Sequence, residues 1–229
     1  MRIRTETIAA LRLFEGLSLN DLQSITRGFT FNLISLRPGR TVRRCGERCG
    51  ELLFIMKGSV RSVCEGTNVD FVFEEELDNR HVIEPYSLFG VSPYYRKTYR
   101  ASTYVDIVGV DKRHVVKLIE DYDVFRLNFL NYVCSYAYHT RCRNLTMGAV
   151  GAVDKIIQFV LRLSETDRGD KLLKVKKTVL ASLIGEPPVR TSAALGKLKE
   201  IGLVDVGRGW IVFHETIFTD PGTAARLSL

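Results

Sequence analysis

The stretch LIGEPPVRTSAALGKLKEIGLV (183–204) sits within the part of the chain best equipped to meet an anionic partner. Between 171 and 199 there are seven basic residues (Lys171, Lys174, Lys176, Lys177, Arg190, Lys197 and Lys199) against one acid, Glu186. Lysine and arginine at this density can neutralise phosphates and release their counterions. Arg190 can also present a planar fork to a base edge, and Val189 or Ala193 can touch a methyl group. A further arginine, Arg208, stands between two glycines a few residues on. Elsewhere the reactive residue types are scattered. Cys45 and Cys49 make half a metal site at most, and the nearest histidine is His81. Cys134 and Cys142 are too far apart on one straight helix for a disulfide. The five cysteines are odd in number and read as reduced thiols, and His81, His114, His139 and His214 form no ligand spacing. No nucleophile elbow and no phosphate loop occurs, so the chain does not read as an enzyme, and no metal site is expected.

The basic segment is held by recognisable elements. KKTVLASLIG (176–185) reads as a short helix with Leu180, Leu183 and Ile184 on its apolar side. Ala181, four residues before Gly185, is small enough for a second helix to cross closely, and Gly185 tolerates the positive φ of a tight turn. Pro188 suits the first position of the next helix, where no N–H is needed. Pro187 forces Glu186 towards an extended conformation and removes a capping side chain. Thr191, Ala194, Leu195 and Leu198 then face inward, and Gly202 ends the helix. GLVDVGRGWIVFHE (202–215) reads as two strands around a tight hairpin at Gly207-Arg208-Gly209. The exposed positions left for a nucleic acid are Lys176, Lys177, Pro188, Val189, Arg190, Ser192, Ala193, Lys197 and Arg208.

The front of the chain changes period. Ser18 is expected to cap a short helix carrying Asp21 in its first turn. From 30 to 110, short runs such as ELLFIMKGSVRSVC (51–64), VDFVFEEEL (69–77) and STYVDIVGV (102–110) alternate with turn signals, the pattern of an antiparallel sandwich or barrel. DKRHVVKLIED (111–121) is a short helix, and 123–150 is one long helix without proline. Phe125, Phe129, Tyr132 and Tyr136 follow one of its seams; Leu127, Leu130, Cys134 and Ala137 follow another. A helix apolar on two faces must bury both, and a second copy of the chain is the simplest cover. Phe125, Phe129, Leu130, Tyr132, Tyr136 and Ala137 are therefore the expected dimer contacts. Gly148 and Gly151 make a hinge, 152–165 is another amphipathic helix, and the last residues, with a Pro-Gly turn, read as a partly ordered tail.

Totals agree with this division. The 229 residues are comfortable for two domains, with 45% apolar and 26% charged residues. A net charge of +7 favours an anionic partner. No apolar run reaches the ~18 residues of a membrane span, and no secretory signal stands at the start. A cytoplasmic location is expected.

The order of these parts resembles the Crp/Fnr family of bacterial transcription regulators. It is carried by LLFIMKGSV (52–60), SLFG (87–90), ASTYVDIVGVDKRHVVKLI (101–119) and LIGEPPVRTSAALGKLKEIGLV, and covers about 12 to 215. The resemblance implies an α+β chain: an N-terminal double-stranded β-helix (jelly roll) of the cyclic-nucleotide-binding type over 1–120, a long dimerisation helix and hinge over 121–151, and a winged helix-turn-helix over 152–229. It implies a homodimer on double-stranded DNA, with RNA polymerase as a further partner and a small effector in the roll. The family's phosphate segment has Gly-Glu after the roll's inner strand, a short helix, then arginine with serine and alanine. By that resemblance Gly90 is kept, Val91 replaces the glutamate, and the arginine position falls on Tyr95. Arg96 and Arg100 lie close by, and Thr140 falls where the family's helix meets the nucleobase. The roll is accordingly expected either to take a small effector other than cyclic AMP in the usual mode or to be filled by its own side chains, and no cofactor is assigned. The family's base-reading positions fall on Pro188, Val189 and Ala193. The alternative is a ligand-sensing dimer whose DNA domain is degenerate and which acts through protein partners.

Overall fold

A computed structural model describes residues 3–79, 81–145 and 151–219, with the side chains of 139–145 excepted. The elements are α1 (Thr5–Ala9), a 3-10 turn (Arg12–Phe14), α2 (Leu19–Gly28), β1 (Phe31–Leu36), β2 (Thr41–Arg43), β3 (Glu51–Lys57), β4 (Val60–Glu65), β5 (Phe71–Leu77), β6 (Val82–Ile83), α3 (Pro85–Phe89), β7 (Thr98–Ala101), β8 (Val105–Asp111), α4 (Lys112–Asp121), α5 (Asp123–Leu145), α6 (Ala152–Leu163), β9 (Lys171–Val175), α7 (Lys177–Ile184), α8 (Pro188–Glu200), β10 (Val204–Gly207), β11 (Trp210–Phe213) and α9 (Thr216–Thr219). The chain divides into two compact units: residues 1–61 with 77–138, and residues 62–76 with 139–229.

The first unit is rich in antiparallel strands. One sheet runs β1-β8-β3-β6, and β2 pairs with β7. Leu52, Leu53, Phe54 and Ile55 of β3 are all buried, so this strand is covered on both faces and its sequence shows a continuous apolar run without alternation. Ser18 caps α2 by accepting from the Asp21 N–H at 3.1 Å, which satisfies one orphan donor of the first turn. At the start of α5, Phe125 is fully buried and packs 4.9 Å from the Phe14 ring, which in turn meets Phe54 at 5.9 Å. Phe129 is buried against Phe89, and Tyr136 stacks on Tyr86 at 4.4 Å. Asn128 donates to the carbonyls of Leu13 and Glu15.

These contacts correct the dimer expectation. Phe125, Phe129, Tyr132 and Tyr136 belong to one chain's own packing, because the aromatic seam closes the core of its own unit. Leu130 and Ala137, with Leu127 and Cys134, form the exposed seam. Gly148 and the Pro-Gly tail lie outside the described residues, as do the side chains of His139, Thr140 and Cys142.

The second unit holds α6 to α9, β9 to β11 and, unexpectedly, the β4–β5 hairpin. The sequence assigns 1–120 to one domain, yet Ser62–Glu76 clusters with the second unit. Strand order there is β10-β11-β9-β5, all antiparallel. Phe73 of β5 is fully buried in a core with Ile156, Val160, Leu173, Leu195, Leu198 and Phe213. Phe71 meets Phe159 edge-on at 5.7 Å. Glu75 stands directly opposite Lys171, and their charged ends are 3.1 Å apart with both side chains fully buried. The Glu75 carboxylate also accepts from the Glu165 N–H, and Lys171 donates to the Arg168 carbonyl. Lys171 is therefore removed from the set of cations available to phosphate.

Candidate functional site

Two places in the molecule gather polar groups suited to a ligand, one in each unit. In the second unit, α7 ends in a Schellman turn. Gly185 adopts φ +65°, its N–H donates to Ser182, and Glu186 donates to Ala181. Pro187 is extended and Pro188 opens α8, so backbone geometry sets the start of the helix without any side-chain cap. Thr191 turns inward and donates its hydroxyl to the Pro187 carbonyl at 3.2 Å. Ala194, Leu195 and Leu198 are buried beside it. The opposite face is bare: Pro188, Val189, Arg190, Ser192, Ala193 and Lys197 are all exposed. Gly202, at φ +71°, closes the helix with the Leu203 N–H bonded to Leu198.

Lys176 and Lys177 are exposed where α7 starts. β10 and β11 pair from Val204↔Phe213 to Gly207↔Trp210, which leaves a two-residue turn. Gly209 takes φ +83° there, and Arg208 stands exposed at the tip. Apart from Lys171, which is buried, the residues singled out from sequence for an anionic polymer thus lie on the surface of one unit.

Glu186 organises this face. It is tied to Lys155 of α6, and Arg190, one turn on, lies 3.9 Å away. The hydrogen bond from Lys155 holds the Glu186 carboxyl below its ordinary range, with smaller help from the Lys155 and Arg190 charges. A lowered folded pKa means that the tie is present above the ordinary glutamate value of about 4.3 and is lost as pH falls through the lowered one. An NMR titration of the Glu186 carboxyl is expected to place its midpoint below that ordinary value.

The second place is in the first unit and was misplaced from sequence. Glu84, directly after β6, is fully buried and adopts φ +37°, ψ +55°. It is the one non-glycine residue with positive φ among the described residues, a conformation that costs roughly 1–2 kcal/mol. Its carboxylate accepts from the Arg96 N–H at 2.8 and 2.9 Å and from the Lys97 N–H at 3.0 Å. The Tyr99 hydroxyl donates at 2.8 Å and the Ser87 hydroxyl at 2.7 Å.

The residues expected in a pocket here are arranged otherwise. Glu84 stands directly after the inner strand and caps the short helix α3, which opens at Pro85; Gly90 and Val91 come after that helix, and Val91 is fully exposed. The sequence register therefore runs several residues late. Tyr95 is buried in the core, and burial pushes its hydroxyl pKa up. The Arg96 and Arg100 side chains are exposed, and only the Arg96 backbone reaches the cluster. Sequence reasoning missed Glu84 because the Arg96 and Lys97 donors are backbone N–H groups, which leave no mark in residue types.

The cysteines are placed separately. Cys45 is exposed, with its thiol donating to the Arg96 carbonyl, and Cys49 is buried, which pushes its thiol pKa up. Among the described residues no group of three or more histidines, cysteines and carboxylates converges, and no helix is long and apolar enough to cross a membrane.

No protein-family model matches the sequence, and no curated protein matches it. Solved structures do. The catabolite activator protein of Thermus thermophilus superposes with a TM-score of 0.52 at 18% identity, over 95% of this chain and 96% of that one. A transcriptional regulator from Thermotoga maritima gives a TM-score of 0.50 at 17% identity, over 56% of this chain and 98% of that one. The c-di-GMP responsive regulator CLP of Xanthomonas campestris gives 0.49 at 17% identity, over 80% and 94%. At these identities the first two likenesses show the fold alone: the chain is built on the architecture of the catabolite activator protein.

Proposed function

We infer that the protein is a homodimeric, sequence-specific DNA-binding transcription regulator that works in the cytoplasm. One observation carries the reading. The bare face of α8, the Lys176–Lys177 pair and the Arg208 tip are exposed on the same unit, where a winged helix-turn-helix would meet a major groove and its flanking phosphates. α8 would enter the groove with its first turns leading. Arg190, already oriented by Glu186, would pair bidentately with a guanine, and Val189 or Ala193 would touch a thymine methyl. Pro188 and Val189 donate no hydrogen bond to a base, so sequence-dependent DNA shape would supply a larger share of the specificity. Arg208 and the lysines would hold backbone phosphates and set register without reading sequence.

The exposed Leu127, Leu130, Cys134 and Ala137 seam of α5 supports pairing with a second copy, which would set two α8 helices on successive grooves of a near-palindromic site. The likeness to a catabolite activator protein supports a regulatory role, and RNA polymerase is the further partner in this reading. A cyclic nucleotide in the family's usual mode is not part of this reading, because Pro85, which follows Glu84 directly after β6, cannot accept a ribose hydroxyl.

Selection of bound duplexes from a random pool tests the proposal. The wild type is expected to enrich a two-fold symmetric site. Arg190→Ala is expected to relax one base pair in each half-site, at about 1–3 kcal/mol per base pair. Enrichment of no site, or an Arg190→Ala profile identical to the wild type, would overturn it.

A further inference from the structure

We propose that the first unit contains an oxyanion-binding site whose resident occupant is the chain's own Glu84 carboxylate. Two backbone N–H groups and two hydroxyls converge on one buried carboxylate, all within 2.7–3.0 Å. A carboxylate oxygen has about two lone-pair sites. Glu84 Oε1 accepts from the Arg96 N–H, the Lys97 N–H and the Tyr99 hydroxyl, and Oε2 accepts from the Arg96 N–H and the Ser87 hydroxyl. That is the arrangement by which proteins bind free carboxylates and phosphates: oriented N–H dipoles and hydroxyls in a site shielded from water.

The backbone supports the same conclusion. A positive φ on a non-glycine residue persists only where the surroundings over-determine it. Here the compensating interaction is the carboxylate itself, since the strained conformation is the one that delivers Oε1 and Oε2 to the donors. The donors come from a different stretch of chain, residues 96–99, so the side chain bridges two segments as a bound ligand would. Ser87, on the first turn of α3, completes the ring from Glu84's own side. With the position filled by a covalently attached anion, a free phosphate or carboxylate meets both occupied donors and a like charge. The unit is accordingly held in its occupied form without an effector. This inference rests on the first unit alone and does not depend on DNA binding.

The test uses the full chain. Glu84→Gly removes the carboxylate and also suits the positive φ. Its thermal midpoint is expected to rise saturably with formate or with inorganic phosphate, by roughly 5–10 °C at ~100-fold the dissociation constant. Chloride at equal ionic strength should give no such rise, and the wild type should respond to none of the three. Glu84→Gln fills the same space but turns an amide towards the donors; it is expected to lose stability and to gain nothing from either oxyanion. If Glu84→Gly does not fold in chloride, refolding from denaturant in phosphate or formate supports the proposal, and failure in all three overturns it. A wild type that binds phosphate as tightly as Glu84→Gly, or a Glu84→Gln that is rescued equally, would also overturn it.

Discussion

Lys171→Met is expected to destabilise the second unit by about 3–5 kcal/mol, because it removes the cation facing a buried carboxylate. Lys171 and Glu75 are both fully buried, and they face each other across β9 and β5. The Glu75 carboxylate would keep its bonds from the Glu165 N–H and Ser62 hydroxyl and lose the lysine charge that offsets its desolvation. Changing both residues, Glu75→Gln with Lys171→Met, removes the charge problem along with the pair. The double variant is expected to be more stable than Lys171→Met alone. Trp210, the one tryptophan of the chain, lies on β11 opposite Lys174 of β9, so its fluorescence follows unfolding of this unit. A Lys171→Met protein within about 0.5 kcal/mol of wild type, the usual range for a surface change, would mean that the pair is solvated.

The second large effect concerns α5. Phe125→Ala is expected to cost about 3–5 kcal/mol, the range for truncating a buried phenylalanine, since its ring packs on Phe14 at the centre of the first unit. The loss should be independent of protein concentration, as befits a residue inside one chain. Leu127→Lys with Leu130→Lys should behave in the opposite way. Both side chains are at least half exposed in the single chain, so the monomer should keep its fold. Light scattering is expected to show the halved mass, and the thermal midpoint should cease to depend on concentration. If Phe125→Ala dissociated the dimer while leaving the monomer's stability unchanged, the aromatic seam would be the interface after all.

Lys171 and Phe125 also show what could be read in advance. α5, α7, α8 and the β10–β11 turn were legible because their signals are local: a 3.6-residue apolar period, Gly185 at a positive φ, Pro188 at the first helical position and the Gly207-Arg208-Gly209 turn. The outward-facing residues of α8 followed from the same periodicity, since what is not on the inward face at Thr191, Ala194, Leu195 and Leu198 is outside. Which seam of α5 faces its own unit was not local. Phe125 and Leu127 are both apolar, and only the position of Phe14 decides between them.

The same reason hides the hairpin. Nothing in VDFVFEEEL shows that Phe73 will enter the core of the second unit or that Glu75 will meet a lysine ninety-six positions later. In the sequence Lys171 is one more cation in a basic run. The Glu84 cluster was hidden more deeply, because two of the groups that bind its carboxylate are main-chain N–H groups. The family's pattern points to a glycine, Gly90, that lies on the far side of the short helix.

The bare face of α8, with the surrounding cations, is the surface proposed to grip duplex DNA. Measuring affinity for a selected duplex by fluorescence anisotropy across a series of salt concentrations tests this most directly. Lys176, Lys177, Arg190, Lys197 and Arg208 are exposed on each chain. Neutralisation of six phosphates by a dimer would give a log–log slope of roughly −5. Replacing Arg208 with a neutral residue should shallow that slope by about one unit for each phosphate it had neutralised, while leaving sequence preference unchanged. A slope near zero, or one unaltered when Lys176, Lys177 and Arg208 are all neutralised, would contradict the account.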